Sequence, residues 1–158
     1  MKEQFYGGEN EMETWKYSTT ADYFDLLDFH DALVEKIEVN KGEITVDIES
    51  INILPHHPLN PFDVAKNTDK CRLVFVEPIK NEAIYFNNDN IPQRIECTNF
   101  KELEIMKFDC KQHFEYYLYE IFGSANGFCE WKVVAKGFYL YWNDFVADAW
   151  FVNWNKDT

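Results

Sequence analysis

Four stretches of the chain hold residue types that could do chemistry. His30-Asp31 sets an imidazole beside a carboxylate, the pairing of a general base or of a metal ligand held in one tautomer. His56-His57 lies between Pro55 and Pro58; with His30, His113, a carboxylate or Cys71 it would supply donors to a transition metal. Trp142-Asn143-Asp144 and Asp148-Ala149-Trp150 place two carboxylates among tryptophans, a combination suited to glycoside chemistry or sugar binding.

Each stretch also has a plainer account. Adjacent residues in an extended strand point to opposite faces, so His30 and Asp31 would diverge, with Asp31 capping a turn. No His-x-His or Glu-x-x-His spacing supports a metal site, and His56 and His57 are expected as an exposed pair in a proline loop. Asp144 fits the end of a strand, and the tryptophans fit a cluster that closes a core. Cys71, Cys97, Cys110 and Cys129 form no C-x-x-C, so reduced thiols acting as small hydrophobes are expected. No nucleophile elbow, Walker motif or dinucleotide fingerprint occurs. The sequence assigns no catalytic residue, no metal and no cofactor, and it leans away from an enzyme.

Positioning these residues falls to a chain of 158, of which 46% are apolar and 18% aromatic. That supports one packed domain burying roughly 68–70% of its unfolded surface, and it excludes disordered, collagen-like and disulfide-stapled classes. Lys and Arg number 15 against 28 Asp and Glu, a formal charge of −13. Nucleic acid and anionic membrane are therefore poor partners, because binding a polyanion needs clustered cations and these are scattered. No apolar run approaches the roughly 20 residues that span a bilayer. The first twenty residues are polar and mixed in charge, so no signal peptide and a cytoplasmic location are expected. The charge alone implies solubility and self-repulsion. An acidic face would also attract a basic protein and speed the encounter, which makes a basic protein the expected partner. The oligomeric state is left open.

Residues 1–19, with Gly7-Gly8, suggest a loosely ordered N-terminal segment, and residues 20–158 a single β-rich domain. A short helical turn is expected from Thr20 to Phe29, capped by Thr19 or Thr20. Leu33 to Val39, the turn Asn40-Lys41-Gly42, and the alternating run Glu43 to Glu49 form a half-buried hairpin. Lys70 to Val76 suits a central strand, Ala83 to Phe86 a strand ended by Asn87 to Asn90, and Phe100 to Asp109 another. Phe114, Tyr117, Leu118 and Ile121 fit a helical stripe, but the aromatic density of this segment favours a strand, which the Asn126-Gly127 turn links to the next one. From Trp131 to Trp142 the apolar alternation slips by one residue at Gly137, which predicts a β-bulge that turns Tyr139 and Tyr141 to the opposite face. The expected fold is mainly β, a single antiparallel curved sheet or open barrel with one or two short helices; an α+β arrangement is the alternative.

Two segments carry a resemblance. Phe29-His30-Asp31-Ala32-Leu33-Val34-Glu35-Lys36-Ile37 and Gly137-Phe138-Tyr139-Leu140-Tyr141-Trp142-Asn143-Asp144-Phe145, followed by Ala149-Trp150, resemble the opening and closing segments of small bacterial proteins of the immunity type encoded beside polymorphic toxins. The resemblance implies a binding protein and no catalytic residues. The candidate partner or ligand residues are His30, Asp31, Tyr139, Tyr141, Asp144 and Asp148. Three functions compete: an immunity-like protein that occludes a basic partner, a sugar- or small-molecule-binding domain using residues 142–150, and a subunit of a larger assembly.

Overall fold

The computed structural model describes residues 14–153. They form fourteen strands, β1 (Tyr17–Thr20), β2 (Leu27–Asp28), β3 (Leu33–Asn40), β4 (Glu43–Ile48), β5 (Asn52–Ile53), β6 (Lys66–Thr68), β7 (Cys71–Val76), β8 (Lys80–Phe86), β9 (Pro92–Ile95), β10 (Leu103–His113), β11 (Tyr116–Ser124), β12 (Phe128–Ala135), β13 (Gly137–Trp142) and β14 (Phe145–Asp148). The helical content is two 3-10 turns, at Ala21–Leu26 and Cys97–Asn99. Thr20 caps the first of these by accepting from the Asp22 N–H, as its hydroxyl at a helix start predicts.

The fold is mainly β and antiparallel. Ten strands form one sheet in the order β1-β13-β7-β4-β3-β10-β11-β12-β8-β9, and a four-stranded sheet, β14-β6-β5-β2, lies beside it. The large sheet is pinched at its middle. There β3 meets β10 through only two register pairs, Leu103 with Val34 and Glu104 with Leu33. Ile105 extends the seam by exchanging hydrogen bonds with Asp31 and Ala32, both at 2.8 Å.

The two halves on either side of this seam face one another. Phe75 on β7 lies 4.9 Å from Tyr119 on β11 and meets Trp131 on β12 edge-on at 5.9 Å, although three strands separate β7 from β11 in the sheet order. Such contacts require the sheet to curl over its own inner face. That face is apolar because every second residue points inward: Cys71, Leu73 and Phe75 on β7; Cys129, Trp131, Val133 and Ala135 on β12. Phe24, on the first 3-10 turn, closes one end against Phe108 and Phe138. The outer ends, β1 and β9, do not pair, so the curl stays open.

Local chemistry places the turns. Gly42, at φ 82°, makes the tight β3–β4 connection, and Asn126-Gly127 makes the β11–β12 connection. Asn87 accepts from the Asp89 and Ile91 N–H groups to close β8–β9. The segment 113–122, balanced between helix and strand in sequence, is strand except at the hairpin tip Phe114-Glu115.

Two expectations are corrected. The phase slip at Gly137 occurs, with Trp131, Val133 and Ala135 buried before it and Phe138, Leu140 and Trp142 after it. Its cause is a corner rather than a bulge: β12 pairs with β11 and β8, whereas β13 pairs with β1 and β7 in the other half. His56 and His57 are not an exposed pair, because His57 is 2% exposed. The loop folds inward around buried Asn60, whose amide donates to the carbonyls of Ile53, Leu54 and Val64. Within the expected N-terminal segment, residues 1–13 lie outside the described residues, and Tyr17–Thr20 form β1 along β13.

Candidate functional site

Two surfaces gather the candidate residues. The first is the outer face of β13, β7 and β4. The corner at Gly137 decides it: with Phe138, Leu140 and Trp142 inward, Tyr139 and Tyr141 must face out. Their rings stack at 6.2 Å with 27° between planes, and Tyr139 is 45% exposed. Trp15 lies 6.0 Å from Tyr141, and the Arg72 guanidinium sits over the Trp15 ring at 5.6 Å. Arg72 is fixed in turn by Asp47, directly across the β4–β7 ladder, at 2.8 Å. These groups border a depression of about 460 Å³ that Val74, Val76, Thr45, Glu38 and Glu43 also line. Burial, then the nearby Tyr139 and Glu43, push the Tyr141 phenol above its usual pKa, so it stays a neutral donor.

The second surface is a cleft of about 300 Å³ where the turn before β3 meets the small sheet. It collects His30, Asp31 and Asp148, which are far apart in sequence, together with Ser50, Asn67 and Trp150. His30 and Asp31 do not diverge as a strand would make them. They occupy a turn in which Asp31 takes φ 68°, and His30 Nδ1 lies 3.2 Å from the Asp31 carboxylate. Asp148, at the end of edge strand β14, reaches Lys66 on β6 at 2.7 Å. Asp144 is not brought to this cleft; it sits in the β13–β14 turn, where its N–H and that of Asn143 donate to Asp69. The cleft therefore collects Asp31 and Asp148 rather than the Asp144 and Asp148 expected from the sequence.

The sequence reading missed the amides. Asn52 and Asn67 are register partners of β5 and β6, and Asn67 donates to both Asn52 and Ser50 at 3.2 Å. Only strand pairing joins them, so no spacing in the sequence could have done so. Arg72, whose partner Asp47 lies across the β4–β7 ladder, was missed for the same reason.

His57 belongs to neither surface. Its Nδ1 accepts from the Leu59 N–H at 3.0 Å, which leaves Nε2 protonated to donate to Thr19 Oγ1 at 2.8 Å. The four cysteines are free thiols, and burial pushes Cys71 up to about 12 and Cys110 up to about 11, so neither is a thiolate nucleophile near neutral pH. Among the described residues no group of three His, Cys, Asp or Glu is arranged to hold a metal, and no helix is long and apolar enough to cross a membrane. No family model, curated protein or solved structure matches this chain.

Proposed function

We propose that this chain is a cytoplasmic binding protein of the immunity type that docks a basic protein on the outer face of β13, β7 and β4 and blocks its working surface. The observation that carries the reading is the stacked, outward-facing pair Tyr139 and Tyr141 beside a depression that Val74, Val76, Thr45, Glu38 and Glu43 also line. Aromatic anchors in a shallow depression among charged groups are what interface hot spots are made of. The net charge of −13 speeds encounter with a cationic surface, and the tyrosines supply the short-range affinity. Nucleic acid is disfavoured by the same charge.

The test is capture of partners by the purified chain and by a Tyr139→Ala/Tyr141→Ala variant, followed by binding kinetics with the captured protein. The expected partner is basic, binds stoichiometrically, and associates more slowly as salt rises. The double variant should weaken it by at least ~30-fold, about 2 kcal/mol. A partner held equally well by the variant, or one whose association ignores salt, would overturn the reading.

A further inference from the structure

The cleft beside the small sheet has a different chemistry from the tyrosine face. Its polar floor is organised in advance. The His30 N–H donates to Asp28 at 3.1 Å, Asp28 accepts from Asn52 at 3.2 Å, and Asn52 accepts from Asn67 at 3.2 Å. Asn52 is buried, so its amide cannot swing away to meet water, and it holds the Asn67 amide in place. A ligand entering here therefore meets fixed donors and acceptors and spends little entropy in ordering them.

Charge narrows the ligand class. Both carboxylates already hold a basic partner, Asp31 with His30 at 3.2 Å and Asp148 with Lys66 at 2.7 Å. A cationic ligand would have to compete with Lys66 for Asp148, and an anionic one would face two carboxylates. Each carboxylate nonetheless accepts through two oxygens with about four lone-pair directions, so capacity remains for hydroxyl donors. Trp150 forms one wall and is 59% exposed, presenting a broad apolar ring beside these acceptors. The volume of about 300 Å³ lies at the small end of the roughly 300–1,000 Å³ typical of ligand sites.

We infer that this cleft binds a neutral, hydroxyl-rich ligand of the saccharide class, one or two sugar rings in size, with its C–H face on Trp150 and its hydroxyls on Asp31, Asp148 and Asn67. The site is separate from the tyrosine face and does not depend on the docking reading.

The experiment is a titration of the full chain with glucose, galactose, N-acetylglucosamine, maltose and cellobiose, followed by tryptophan fluorescence and by amide and indole NMR shifts. The polyamine spermidine is the cationic arm. At least one sugar should bind saturably, with a Kd of ~10 mM or tighter, and shift the Trp150 indole and the Asn52 and Asn67 side-chain amides. Trp150→Ala should weaken that binding at least ~10-fold, whereas Trp150→Phe, which keeps a ring, retains most of it. Asp148→Asn serves as a second variant, and Tyr139→Ala should leave sugar binding unchanged. No saturable binding by any of the sugars, shifts confined to residues outside the cleft, or saturable binding of spermidine in their place would overturn the inference.

Discussion

Buried His57 shows how a single hydrogen bond sets a protonation state. Because Nδ1 accepts from the Leu59 amide, a second ring proton would put two N–H groups face to face, and burial opposes the charge as well. Its pKa is lowered from 6.5 by that burial. The unfolded chain, with His57 near its ordinary value, then binds the proton more readily than the folded one. Stability is complete above about pH 6.5 and falls as the pH drops from there toward the lowered folded value. Urea unfolding across this window should show the midpoint declining toward acid, and His57→Gln should flatten the decline while costing ~1–2 kcal/mol at neutral pH. A wild-type midpoint that stays level down to pH 5.5 would contradict the assignment. The sequence could not separate His57 from His56, because both stand in a proline loop without periodicity. Only the inward fold around Asn60 tells them apart.

At the level of elements, alternation made most strands legible, and β4 and β7 follow the register that their apolar residues demand, whereas β3 shifts register between Val34 and Lys36. What alternation cannot reveal is partner choice. A phase slip looks the same whether a strand bulges within one ladder or leaves it for another, so the corner at Gly137 became visible only when β12 and β13 were seen to pair in different halves. The two readings differ in what the glycine does. No atom lies within 4 Å of a Cβ added at Gly137, whereas one at Gly123 would collide with the Glu104 carbonyl oxygen and approach Leu103 Cδ1 to 2.9 Å. Gly123 sits where β10 carries its own irregularity, between Ile105 and Lys107. Gly123→Ala is expected to cost more than ~2 kcal/mol and Gly137→Ala less than ~0.5 kcal/mol, by denaturant midpoint. Equal effects at the two sites would refute this account. The two candidate surfaces follow the same division: the outward turn of Tyr139 and Tyr141 was readable from phase, while the Asn52–Asn67 floor depends on long-range register.

For the whole molecule, the path of the chain matters as much as its shape. The chain lays down β3, β4 and β7 in one half, then β8 through β12 in the other, and returns to the first with β13. The second half is one continuous stretch of sequence, Lys80 to Ala135, whereas the first is complete only when β13 returns to it. Local ladders, β3–β4 and β10–β11–β12, carry little loop-closure entropy, whereas β1 with β13 carries the most. In refolding followed by pulsed hydrogen exchange, amides of β10 to β12 should gain protection before those of β1, and early protection of β1 would exclude this order. The same geometry has a meaning during synthesis. Lys16 donates to Asn143, 127 positions later. At roughly 5–20 residues per second, the first strand waits on the order of 10 s for the strand that receives it. Until then β7 keeps one hydrogen-bonding edge open, and the nascent chain carries a vacancy that an extended peptide in the wrong register could fill. Its most delicate moment in the cell comes just before Trp142 leaves the ribosome.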